Sequence, residues 1–213
     1  MKKYMLALGL SLLTVLGLFT GCSPKAETAS GSDSLKIVAT IFPEYDWVRQ
    51  VLGDRAGEVQ LTLLLDSGTD LHSYQPTAAD MLTIGECDLF LYNGGESDAW
   101  VERVLATAAN PDRRTLSVME VLGDSVLEEE VVEGMQEAED HDHAEGEAHE
   151  EEADEHVWLS LRNARTACAE IARVLGELDP DHAAEYQTNA ENYMAELEAL
   201  DGEYAALAEN AAR

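Results

Sequence analysis

Basic residues are scarce in this 213-residue chain: thirteen Lys and Arg stand against forty-three Asp and Glu, a formal net charge of −30. A chain with so few cations cannot neutralise a row of phosphates, which excludes a nucleic-acid partner and leaves cations or basic partners as the better fit. Aromatic residues are modest at 6%. Cysteine is rare, three in all, and only Cys87 and Cys168 follow Cys22. The longest apolar run, from Leu6 to Phe19, has fourteen residues, short of the roughly 20 that span a bilayer comfortably. No HExxH pair and no GxSxG elbow occurs, so a metalloenzyme or serine-hydrolase reading has no motif to stand on.

Hydrophobic residues make up 46% of the chain, enough for a core, and the length allows one to two domains. The charge is concentrated. Fifteen carboxylates and three histidines (His141, His143 and His149), with no Lys or Arg, fall between Glu128 and Glu155. Such a stretch cannot pack as a core, and residues 128–155 are expected to form a disordered loop. It is either solvated filler or a collector of cations, with His141-Asp142-His143 bringing two imidazoles close together; its carboxylates also suit harder cations.

Met1-Lys2-Lys3 followed by the Leu6–Phe19 run reads as a secretory signal over residues 1–21. Thr20-Gly21-Cys22 resembles the lipobox of bacterial lipoproteins, in which the cysteine becomes the acylated N-terminus; Phe19 stands where that pattern favours Leu. Residues 22–34, rich in Ser, Ala and Gly, read as a flexible tether. Cys87 and Cys168 could pair in an exported protein. Each sits in an apolar pattern, however, so two buried free thiols are expected.

From Leu35 onward, short apolar runs alternate with amphipathic stretches. Strands are expected at 35–42, 59–65, 88–92 and 114–118, with helices at 45–52, from 77 to about 85, and from about 98 to 108. Near-continuous apolar strands separated by helices predict an α/β fold with a parallel four-stranded sheet covered on both faces. Leu161, Ala164, Cys168, Ile171, Leu175 and Leu178 recur at helical spacing. Asp179-Pro180 then reads as an N-cap followed by a first helical residue. Tyr186, Ala190, Tyr193, Leu197, Leu200, Tyr204 and Leu207 form one stripe on a helix of about thirty residues, roughly 45 Å long. That helix meets no stop signal before Arg213.

Two histidines lie outside the acidic stretch and before these helices. His72 sits in Gly68-Thr69-Asp70-Leu71-His72-Ser73-Tyr74-Gln75-Pro76-Thr77, a loop after the second strand, where open α/β sheets gather ligands. His156 sits in Asp154-Glu155-His156-Val157-Trp158-Leu159. Neutral imidazole is a favoured ligand of divalent zinc, as one of three or four donors about 2.0 to 2.1 Å from the metal.

These features together resemble the metal-binding solute-binding proteins of bacterial ABC importers, particularly the zinc branch. The resemblance runs from Leu35 to the end. It rests on Thr40-Ile41-Phe42-Pro43, the His72 loop through Pro76-Thr77 and Asp80, Asn93-Gly94-Gly95 before Trp100, and His156-Val157-Trp158-Leu159 after a His- and acid-rich insertion. Leu71 and Glu155 stand where the family usually has Pro before each histidine, Gln75 where Glu is common, and Ser160-Leu161 where Asp-Pro is common. The resemblance implies a two-lobed protein holding Zn2+, or Mn2+ in the manganese branch, in the cleft between lobes joined by a long helix. His72 and His156 match the two histidines of the N-terminal lobe. Residues 35–178 would then be that lobe and 179–213 the start of the interlobe helix, with the C-terminal lobe and its ligands absent. Glu96 is a further candidate oxygen donor, and His141, His143 and His149 would collect metal at low affinity. The function implied is extracytoplasmic capture of zinc by a lipoprotein anchored at Cys22, with delivery to an ABC importer permease. The rivals are a manganese- or iron-binding member of the family and a surface zinc buffer or adhesin.

Overall fold

The structure is a computed structural model and describes residues 34–66, 68–107, 110–128 and 153–211. Four parallel strands, β1 (Lys36–Ala39), β2 (Gln60–Leu63), β3 (Leu89–Tyr92) and β4 (Arg114–Ser117), form one sheet in the order β2-β1-β3-β4. The helices are α1 (Phe42–Leu52), α2 (Ala78–Glu86), α3 (Val101–Leu105), α4 (Val118–Leu122), α5 (Leu161–Leu178) and α6 (Ala183–Ala211). The predicted architecture is the observed one: a parallel four-stranded sheet with helices on both faces and a long helix following it.

Alternation along the strands assigns the two faces. Ile37, Ala39, Leu89, Leu91 and Leu116 turn toward α1, α4, α5 and α6, where Trp47, Val51, Leu52, Ile171 and Leu175 complete the larger core. Val38 and Phe90 turn the other way and meet Ile84, Trp100, Val101 and Val104. Cys168 is buried in the first cluster and Cys87 in the second, so the sheet separates the two thiols and both are free.

Several elements differ from their predicted bounds for local reasons. The first strand stops at Ala39 and α1 begins at Phe42 rather than 45, because Pro43 suits the first turn of a helix. Glu44 reaches back to accept from the Thr40 and Ile41 N–H groups, at 3.0 and 3.3 Å, and from Thr40 Oγ1 at 2.8 Å. The helix expected over 98–108 is shortened to α3, preceded by a 3-10 turn at Glu96–Asp98. Helix α4 was not expected; Ser117 starts it by accepting the Glu120 N–H at 3.3 Å. Asp179 does not cap α6. A 3-10 turn, Pro180–His182, intervenes, and the Asp179 carboxylate bonds His182 Nδ1 and Tyr186 Oη instead.

The apolar stripe of α6 divides in two. Tyr186, Ala190 and Leu197 are buried in the larger core, whereas Leu200, Tyr204 and Leu207 are exposed. Arg165 with Glu198 and Arg162 with Asp201 link α5 to α6 at 3.1 Å each. Both pairs are solvated, so they contribute little beside the apolar seam.

Candidate metal site

Sheet order places the switch point between β1 and β3, the edge where ligands of open α/β sheets collect beyond the strands' carboxyl ends. Three loops meet there. The first follows β2 and carries His72 on a 3-10 turn, Leu71–Ser73. Leu71 is buried and anchors the turn, and the Asp70 carboxylate accepts the His72 N–H at 3.3 Å. Tyr74 is buried beyond it, and its hydroxyl donates to Asp80 at 3.0 Å. Asp80 also accepts the Thr77 N–H at 2.8 Å while Thr77 Oγ1 accepts the Asp80 N–H, a reciprocal cap that starts α2. His72 is thereby fixed from both sides.

The second loop follows β3. Asn93 is buried, and its Nδ2 donates to the Glu155 carbonyl at 2.8 Å. Gly94 and Gly95 both have positive φ, 97° and 79°, and Gly94 N–H donates to Asp98 at 2.9 Å. Burial pushes the Asp98 carboxyl up to about 6, against the backbone N–H groups that favour its ionised form. The turn ends with Ser97 directed at the histidine: Ser97 Oγ lies 2.9 Å from His72 Nδ1.

The third loop supplies Asp154, Glu155 and His156. Asp154 accepts the His156 N–H and its ring Nδ1, both at 2.9 Å. The backbone N–H of His156 is the main reason that the Asp154 carboxyl is held below the ordinary aspartate range. Glu155 accepts the Ser97 N–H at 3.0 Å and the Ser97 hydroxyl. After His156 the chain enters a 3-10 turn, Val157–Leu159, with Val157 buried, and Ser160 caps α5.

The result brings together two residues 84 positions apart in sequence. The imidazoles of His72 and His156 lie side by side, tilted at 55°, with ring centroids 5.5 Å apart. Two imidazoles on one tetrahedral zinc, with metal–nitrogen bonds near 2.0 to 2.1 Å, would have centroids about 5 Å apart, so the separation of the rings is compatible with a shared ion. Nδ1 of each ring has a hydrogen-bond partner, which leaves Nε2 on each for a metal. Ligating histidines are commonly held this way, the second nitrogen bonded to a carboxylate or other acceptor that sets the ring.

Glu96 does not join them. It is exposed on the Glu96–Asp98 turn, and among the described residues no group of three or more His, Cys, Asp or Glu side chains converges to hold a metal. The residue of that turn that touches His72 is Ser97. Cys22 and the histidines His141, His143 and His149 lie outside the described residues. So does nearly all of the acidic segment, apart from its ends, where Glu128 pairs antiparallel with Ala153 and Asp154 N–H donates to the Leu127 carbonyl at 2.8 Å. Asp154 and Glu155, the last two acids of that segment, belong to the site's hydrogen-bonding frame.

Comparison with known proteins identifies the family. The family described as "Zinc-uptake complex component A periplasmic" matches residues 37–213. The chain is 34% identical over 205 residues to the zinc-binding lipoprotein AdcA of Streptococcus pneumoniae serotype 4, covering 96% of this chain and 38% of that protein. It is 30% identical over 198 residues to the manganese ABC transporter substrate-binding lipoprotein ScaA of Streptococcus gordonii, covering 91% of this chain and 58% of that one. The chain thus spans less than two thirds of the length of these relatives. The crystal structure of Zn(II)-bound AdcA from Streptococcus pneumoniae superposes with a TM-score of 0.62 at 29% identity, covering 81% of this chain and 32% of the other.

Proposed function

Since this chain belongs to the periplasmic zinc-uptake component A family, we propose that it is the N-terminal metal-binding lobe of an extracytoplasmic zinc receptor that passes its cargo to an ABC importer permease. His72 and His156 are the ligands this lobe contributes, each through Nε2. The observation that carries the proposal is the 5.5 Å approach of the two rings with both Nδ1 atoms already engaged. Two imidazoles leave a tetrahedral ion short of ligands. A second lobe, joined through α6, would supply the others, and water would complete the shell without it.

The remaining assignments complete the same reading. Residues 1–21 form the export signal, Cys22 carries the lipid anchor, and residues 22–34 are the tether. The 128–155 segment gathers zinc at low affinity through His141, His143, His149 and its carboxylates, and hands it to His156, which follows directly in sequence. Zinc is favoured over manganese because imidazole is its preferred donor and the harder manganese suits oxygen-rich sites.

Competition against a chromogenic zinc chelator tests the site. The wild-type chain should show a tighter component that the His72→Ala, His156→Ala double variant lacks, and deletion of residues 129–152 should remove only weaker, multi-ion binding. A double variant that binds zinc as tightly as wild type would refute the two-histidine site; a tighter component selective for manganese would shift the cargo.

A further inference from the structure

We infer that Glu155 acts through Ser97 as a positioning residue that fixes the tautomer of His72, holding the ring proton on Nδ1 so that Nε2 presents a lone pair to zinc. The inference rests on the proposal that His72 and His156 hold the ion.

The proton count decides the direction of each bond. A carboxylate only accepts, and a serine hydroxyl has one proton to give. Glu155 receives the Ser97 N–H on Oε1, at 3.0 Å, and the Ser97 O–H on Oε2. The hydroxyl proton is then committed, and Ser97 Oγ meets His72 Nδ1 at 2.9 Å with lone pairs only. The contact forms only if His72 Nδ1 donates. His156 reaches the same state more directly, its Nδ1 facing the Asp154 carboxylate at 2.9 Å. Adjacent residues, Asp154 and Glu155, thereby set the two histidines, one in direct contact and one through a hydroxyl.

Glu155 is itself held. Its carbonyl accepts from the buried Asn93 side chain at 2.8 Å, and its side chain lies across Gly95, which offers no Cβ to obstruct it. A proline at this position would retain the carbonyl contact and lose the carboxylate, leaving the Ser97 hydroxyl free to donate to His72 instead. The glutamate therefore bridges the loop after β3 to both histidine loops.

Glu155→Gln makes the test sharp because it keeps shape and reverses one bond. The amide oxygen must face the Ser97 N–H, so the amide NH2 faces Ser97 Oγ and donates to it. The Ser97 hydroxyl then turns its proton to His72 Nδ1, and the ring proton moves to Nε2, the nitrogen that zinc needs. Long-range proton–nitrogen NMR of the metal-free, histidine-labelled chain, at a pH where imidazoles are neutral, reads the tautomer directly, with His72→Gln identifying the resonance.

Wild type should show His72 with the proton on Nδ1, Glu155→Gln with it on Nε2, and Ser97→Ala a mixture of the two. Zinc affinity should fall roughly 10- to 100-fold in both variants. The inference is overturned if His72 in wild type carries its proton on Nε2, or if Glu155→Gln leaves both tautomer and zinc affinity unchanged. Should Glu155→Gln unfold, Ser97→Ala decides alone by the same two readouts. The tautomer is read without zinc, so it stands apart from the two-histidine reading, which fails separately if the His72→Ala, His156→Ala variant binds zinc like wild type.

Discussion

Glu155 lies directly over Gly95: a methyl group built on Gly95 would sit 2.7 Å from both Cγ and Cδ of Glu155. Gly95 also has φ 79° and ψ −165°, a conformation essentially reserved for glycine. Gly95→Ala should therefore do two things at once. Backbone strain should lower stability by about 1–3 kcal/mol, and displacement of Glu155 should weaken zinc binding several-fold. Denaturant unfolding and chelator competition measure the two separately; an alanine variant with wild-type zinc affinity would show that Glu155 has no part in the site.

A second prediction concerns Glu44, which is fully buried. Burial outweighs the three hydrogen bonds to its Oε2 and raises its pKa from an ordinary 4.5 to about 8. The folded state therefore holds a proton that the unfolded chain releases first. The associated stability is complete below about 4.5 and is lost as pH rises through about 8. Asp98, raised to about 6, acts in the same direction over a lower window. Thermal unfolding of the metal-free chain should show Tm falling as pH rises from about 4.5 to about 8, and Glu44→Gln should flatten that fall. A variant with an unchanged pH profile would remove Glu44 as its source.

The cysteines give a third. Cys87 and Cys168 are buried on opposite faces of the sheet, and burial pushes both thiols up to about 12. In a Cys22→Ser background an aromatic disulfide reagent should find no reactive thiol in the native chain and two after denaturation. One fast-reacting thiol in the native state would contradict the packing of its face.

The fourth uses Trp158, whose ring centroid is 5.3 Å from that of His156. Metal on His156 changes the charge and orientation of its neighbour, so zinc should alter tryptophan emission. Trp47 and Trp100 lie buried in the two cores. Trp158→Phe should abolish the zinc response and Trp47→Phe should keep it; the reverse outcome would place the ion elsewhere.

The strand pattern and the two histidines were legible in the sequence because apolar runs and rare metal-binding side chains leave a linear trace. Ser97, Asp154 and Glu155 were not. Glu96 carries the chemistry that suggests a ligand, yet Ser97 is the residue that reaches His72, because the positive φ of Gly95 sets the orientation of the turn and no composition or periodicity encodes it. Glu155 is one of fifteen acids in a low-complexity stretch, and only the return of the chain beside Ser97 distinguishes it. The available signal was faint: an acid directly preceding His156, and a paired glycine two residues before a serine. Helix α4 was missed for a related reason, since five residues are too few for periodicity to register.

The pairing of Glu128 with Ala153 has a practical corollary for anyone building on this scaffold. Residues 128 and 153 lie side by side, so a segment of another length joined between them leaves their spacing, and with it the approach to His156, unchanged. A shorter acidic segment, a longer one or a fluorescent reporter could be exchanged there as a cassette, two residues upstream of the site's hydrogen-bonding frame.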